Sequence, residues 1–137
     1  MLHSIEAKFN AGSGQRIVSF TSEKAHHDSL FLIREAHDTP QCIAGEAIKC
    51  GDTIRMTHLF SNNNLHTHRV RSLLMGKHDG QSQEVTVFGH NGEGDGGDNW
   101  IVHCDGEQWI RGEKVKFMHV GKQTSMHTFL LYYLQFR

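Results

Sequence analysis

The four residues NLHT, Asn64–Thr67, lie inside the stretch NNNLHTHRVRS (Asn62–Ser72) and occur twice more with small changes, as MLHS at Met1–Ser4 and as SMHT at Ser125–Thr128. Internal repetition dictates architecture, so it is sought before a fold is assigned. Working outward from these anchors, GQRIVSF (Gly14–Phe20) matches SQEVTVF (Ser82–Phe88), and DSLFLI (Asp28–Ile33) matches GDNWIV (Gly97–Val102), with Phe31 standing where Trp100 does. GDTIRMTHL (Gly51–Leu59) matches GEKVKFMHV (Gly112–Val120). Each run is strand-length, β-branched or aromatic, and bounded by turn clusters such as NAGSG, SNNN and NGEGDGGDN. The stretch SEKAHHDSLFLIREAHD could be argued as a helix, but its apolar residues are contiguous rather than spaced at i, i+3 and i+4, so it reads as a strand. Three copies of a four-strand unit describe an all-β chain, a β-trefoil. In that fold the first and fourth strands of each unit build a barrel, and the second and third pair as hairpins capping one end. The expected division is a single domain of residues 1–50, 51–111 and a partial third unit, 112–137.

Composition narrows the functional classes. The 137 residues carry 14 Lys and Arg against 15 Asp and Glu, so no basic field invites nucleic acid or an anionic membrane. Twelve histidines make the net charge sensitive to pH between roughly 5 and 7. The chain has no apolar run long enough for a membrane helix, and MLHSIE at its start lacks the basic and apolar regions of a signal peptide. Cys42 and Cys50 flank IAGEAIK, a short loop that a disulfide could close, with Cys104 left over; the alternative is a pair of small buried thiols.

The stretches GDTIRMTHLFSNNNLHTHRVRS and QEVTVFGHNGEGDGGDNWIVHCDGEQWIRGEKVKFMHV, with IKCG opening the second unit, resemble the MIR domain, and within it the stromal cell-derived factor 2 family. The resemblance runs from about Leu2 to Val120 and is strongest in the second unit. In the first, FLI replaces the expected Trp and HSI the His-x-His pair. It implies a non-enzymatic interaction module of the endoplasmic reticulum lumen or secretory pathway. Its expected partner is a J-domain co-chaperone of the protein quality-control system. It implies no cofactor. The rival expectation is glycan recognition, suggested by the MIR domains of protein O-mannosyltransferases.

His66 and His68 stand two apart on a strand, so both imidazoles share one face, as two ligands of a zinc site would. Leu65 and Met126 hold the inward phase, so the histidines face away from the barrel axis. His3 and His127 repeat His66, and a ligand site would not recur at distant pseudo-symmetric places. A structural role is therefore expected for Leu2, His3, Leu65, His66, His68, Met126 and His127, with Phe31 and Trp100 as core aromatics. No catalytic or metal residue is assigned. The candidate binding surface comprises Trp109, for which sealing the barrel base is the alternative, and the acidic loop residues Glu93, Asp95 and Asp98, which lack the order of a calcium loop.

The strand count leaves the trefoil incomplete at both termini: nine of twelve strands, with two staves missing at the seam. Open strand edges invite pairing with another chain, so self-association through the seam is expected. The tail FLLYYLQFR, Phe129–Arg137, is an almost unbroken apolar run that either covers the seam, acts as an ordinary core strand or favours aggregation.

Overall fold

The computed structural model describes residues 1–22, 26–72, 83–122 and 129–131. Among them are nine strands: β1 (Leu2–Lys8), β2 (Arg16–Phe20), β3 (Phe31–Glu35), β4 (Thr53–His58), β5 (Asn63–Arg71), β6 (Gln83–Phe88), β7 (Trp100–Cys104), β8 (Val115–His119) and β9 (Phe129–Leu131). Three short 3-10 turns and no α-helix accompany them. The all-β expectation holds, and the stretch that could have been argued as a helix supplies β3 behind a 3-10 turn at His27–Ser29. The strands form one sheet in the order β1-β2-β6-β5-β4-β7-β8-β9, with β3 on β4. Every strand pairing is antiparallel.

The register of these pairings reproduces the repetition in the sequence. Phe31 lies opposite His58 in the β3–β4 pair, and Trp100 lies opposite His119 in the β7–β8 pair. Both aromatic–imidazole contacts are close, at 5.1 and 5.4 Å between ring centroids. Beyond the strand ends the match continues, because Leu59 N–H donates to Leu30 O (2.9 Å) and Val120 N–H to Asn99 O (3.2 Å). The β1–β2 and β5–β6 hairpins agree as well, with one correction to the sequence alignment. Leu2 lies opposite Phe20, whereas its counterpart Leu65 lies opposite Val87, not Phe88. GQRIVSF and SQEVTVF are therefore slipped by one residue. The side chains follow the corrected register: Ser4 Oγ donates to Ile17 O (3.1 Å) and Thr67 Oγ1 to Glu84 O (2.7 Å). A one-residue slip would turn every side chain to the other face, and the corrected register restores the alternation, with Val18 matching Val85 and Ser19 matching Thr86.

Leu2, Phe31, Ile54, Met56, Leu65, Val87, Trp100, Val102, Val115 and Phe117 form the buried core, and Val18, Ile33, Ile48, Val85 and Trp109 pack against it. Leu2 and Leu65 are both inward, as expected, while Met126 and His127 lie outside the described residues. Of the tail, Phe129–Leu131 pairs with β8, and the remainder lies outside the described residues.

The expected Cys42–Cys50 bridge is not formed. Cys50 pairs with Cys104 across 54 residues, and Cys42 is an exposed free thiol. Sequence proximity misled because β7 runs beside the segment that leads into β4: Gly51 N–H donates to Val102 O (2.7 Å) and Cys50 N–H to Glu107 O (3.0 Å). That neighbourhood holds the two cysteine Cα atoms 5.3 Å apart, within bridging range.

Candidate functional site

A buried polar cluster lies on the outer face of β5, against the turn that precedes β7. Strand alternation turns Leu65 into the core and His66 away from it, where His66 is nevertheless 2% exposed because residues 94–98 cover it. His66 Nδ1 donates to Asp98 Oδ1 at 2.8 Å. Asp98 is itself 0% exposed, and its Oδ2 accepts from Asn64 Nδ2 (3.1 Å) and from the Asp95 backbone N–H (3.0 Å). All three neighbours are donors, so the buried carboxylate is satisfied as an anion. Asn64 is held in turn by Thr57 Oγ1 (2.7 Å) and donates also to Gly92 O (3.0 Å).

The turn itself, Gly96–Asp98, is closed by a reciprocal capping box. Asp95 Oδ1 accepts from Gly97 N–H (2.7 Å), while Asp98 reaches back to the Asp95 N–H. Two glycines are required by space. A Cβ on Gly94 would collide with the Asp98 carboxylate, and one on Gly97 with the His66 ring.

His66 Nε2 lies 3.0 Å from His68 Nδ1. With His66 Nδ1 donating to Asp98, the neutral pair has His68 Nδ1 donating to His66 Nε2. Burial holds the His68 pKa below its ordinary value and the neighbouring His66 adds to that, against the opposing pull of Glu84 and Asp95. His58, 0% exposed, is also depressed by burial, partly offset by its bond to Asp28 O. Its Nε2 donates to that carbonyl (3.1 Å), so Nδ1 accepts from Ser61 Oγ (2.9 Å). This serine–histidine contact is oriented by a backbone carbonyl rather than a carboxylate, and the ring is sealed from solvent, unlike an activated nucleophile.

The other predicted positions divide. Trp100 is 2% exposed and its Nε1 donates to Leu65 O (2.9 Å), tying the core aromatic to the strand that carries His66. Trp109 is half-buried, edge-on to Phe117 at 5.4 Å between ring centroids. Glu93 and Asp95 are exposed, but Asp98 is not part of any surface: the acidic loop turns it inward as the anchor of the cluster. Sequence reading missed Asn64, Thr57 and the two glycines; the signal available was the Asp95–Asp98 spacing of DGGD, that of a capping box.

His66, Asp95 and Asp98 could offer three ligand atoms within 4.8 Å of one another. Each of those atoms already serves a hydrogen bond that closes the turn, so the arrangement fits a structural lock. Away from it, the described surface exposes Leu30, Leu32, Leu59 and Phe60 around the β3 and β4 ends.

The MIR domain family model matches residues 1–128. Stromal cell-derived factor 2-like protein 1 of Mus musculus is 40% identical over 120 residues, covering 88% of this chain and 52% of the relative. The chain thus spans about half the length of the curated relatives it matches. The crystal structure of the SDF2-like protein from Arabidopsis thaliana superposes with a TM-score of 0.77 at 29% identity, over 90% of this chain and 65% of that one. A protein O-mannosyltransferase complex of S. cerevisiae, bound to the sugar donor, contains a similar fold: TM-score 0.70, 22% identity, 87% of this chain and 17% of that one.

Proposed function

The chain belongs to the MIR domain family, and on that premise we propose that it is a protein-interaction module of an oxidising secretory compartment, the endoplasmic reticulum lumen, acting beside a J-domain co-chaperone in protein quality control. The observation that carries the compartment is the Cys50–Cys104 disulfide, since such bridges persist in oxidising compartments and are rare in the cytosol. The partner surface in this reading is the exposed apolar group Leu30, Leu59 and Phe60, brought together by the Leu59 N–H bond to Leu30 O. The three units, 1–50, 51–111 and 112–137, form its scaffold, and the polar lock keeps the loops in place.

Capture from endoplasmic reticulum lysate tests the reading. A J-domain co-chaperone is expected to be enriched by the native chain and lost with the pair Leu59→Glu and Phe60→Glu, at an unchanged unfolding midpoint. Absence of enrichment, or equal enrichment by both chains, overturns it. The candidate platform for glycan binding is Trp109, and the edge-on packing of that ring against Phe117 favours a sealing role. A glycan-array signal abolished by Trp109→Ala would favour the glycan reading instead.

A further inference from the structure

The turn before β3 departs from the turn before β7 in one chemical respect. Where the second has Asp95, Gly96 and Gly97, the first has His26, His27 and Asp28. The backbone bonds are the same: Ser29 N–H to His26 O (3.0 Å) and Leu30 N–H to His27 O (3.2 Å), beside Asp98 N–H to Asp95 O (3.0 Å) and Asn99 N–H to Gly96 O (3.5 Å). The turn therefore does not need two imidazoles and a carboxylate, yet all three converge. His26 Nδ1 lies 3.2 Å from Asp28 Oδ2, and His27 Nε2 lies 3.2 Å from Asp28 Oδ1. One ligand atom from each of the three falls within 4.8 Å of the others.

The N-cap bond does not bar His26 from a ligand role: its Nδ1 accepts from the Asp28 backbone N–H only at 3.4 Å on the exposed surface, a long bond that a metal ion can replace, unlike the 2.8 and 2.7 Å bonds of the His66 cluster. The triad is also held from behind: His58 Nε2 bonds Asp28 O, and the Phe60 ring packs against His27 at 5.2 Å between centroids.

We propose that His26, His27 and Asp28 form a surface site for a divalent transition-metal ion. Two imidazole nitrogens and a carboxylate oxygen suit zinc, nickel or copper, with water completing the coordination on the exposed side, and they do not suit magnesium or calcium. The imidazoles must be deprotonated to ligate, so binding weakens on acidification.

Calorimetric titration of the full chain with Zn²⁺ at neutral pH tests this. His26→Asn keeps an N-cap acceptor while removing the imidazole, and His27→Gln and Asp28→Asn leave the backbone bonds in place. The expected result is one equivalent of Zn²⁺, weakened on the order of tenfold or more by each variant. Replacement of the exposed His103 by Gln should leave binding unchanged. Selective shifts of the His26 and His27 ring resonances on adding Zn²⁺ provide a second reading. No binding, or binding indifferent to all three variants, overturns the proposal.

Discussion

Before β7, the turn Gly96–Asp98 is anchored by a buried carboxylate that accepts three hydrogen bonds, one of them from His66. Before β3, the turn His27–Ser29 has the same backbone bonds, but Ser29 stands where Asp98 does and His3 where His66 does. There the Ser29 hydroxyl and His3 Nδ1 are buried without a hydrogen-bond partner among the described residues. His3 keeps only a long contact to Ser19 Oγ at 3.4 Å. The difference extends down the strands. Cys104, at the end of β7, is stapled to Cys50, while its counterpart in β3 is Glu35, paired with Arg55 at 3.1 Å. The same backbone plan thus stands once with a buried carboxylate lock and a disulfide, and once with a 3.4 Å cap from His26 and the His58 bond to Asp28 O. The turn does not need the lock to form; the lock decides how firmly it stays closed.

The largest expected effect strikes the strand behind the locked turn. Trp100→Ala should cost about 3–5 kcal/mol in urea unfolding, through lost packing and a large cavity. Trp100→Phe, which places the β3 residue in β7, should cost less, because the lost bond to Leu65 O is worth only about 1 kcal/mol and part of the ring volume remains. A Trp100→Phe loss as large as that of Trp100→Ala would break the equivalence of the two positions.

Removing the staple comes next. Cys50→Ala with Cys104→Ala should cost about 2–4 kcal/mol, whereas Cys42→Ala should stay within about 0.5 kcal/mol. Equal losses would contradict the bridge assignment.

Asp98→Ser converts the locked turn into the unlocked one. It orphans His66 Nδ1 and the Asp95 N–H, and should cost about 2–3 kcal/mol. Ser29→Ala removes a hydroxyl that bonds nothing described, and should cost less than about 1 kcal/mol.

The smallest effect is the pH dependence. The folded pKa values of His58 and His68 are depressed, so the unfolded chain binds more protons once the pH falls below about 6.5. Their contribution is fully present above that value and is lost as pH falls toward the folded pKa values. The urea midpoint should therefore drop between pH 7.5 and 5; a flat midpoint would contradict the depressed pKa values of the buried His58 and the half-buried His68.

The strands were legible in the sequence because each is a short β-branched run between turn clusters, and because Trp100 repeats Phe31 and Leu65 repeats Leu2 in matching segments. The pairing of β1–β2 relative to β5–β6 was read one residue out of step, since the terminal Phe20 and Phe88 were aligned in preference to the Val18–Val85 and Ser19–Thr86 alternation. The bridge was misassigned because Cys104 approaches Cys50 only through the β7 crossover onto β4. Asp98 was taken for a surface charge because three glycines and an aspartate nearby look like an exposed loop. Only the fold shows that the glycines make room for its carboxylate and for the His66 ring. The imidazoles of His26 and His27 drew no attention, being two among twelve.

Amide hydrogen exchange at Ser29 and Asp98 tests the comparison most directly, because both N–H groups make the same 3.0 Å backbone bond and differ chiefly in what anchors the turn around them. After correction for intrinsic rates, Asp98 should be markedly more protected than Ser29, and Asp98→Ser should bring the protection at position 98 down to that of Ser29. Equal protection in the native chain would contradict the account.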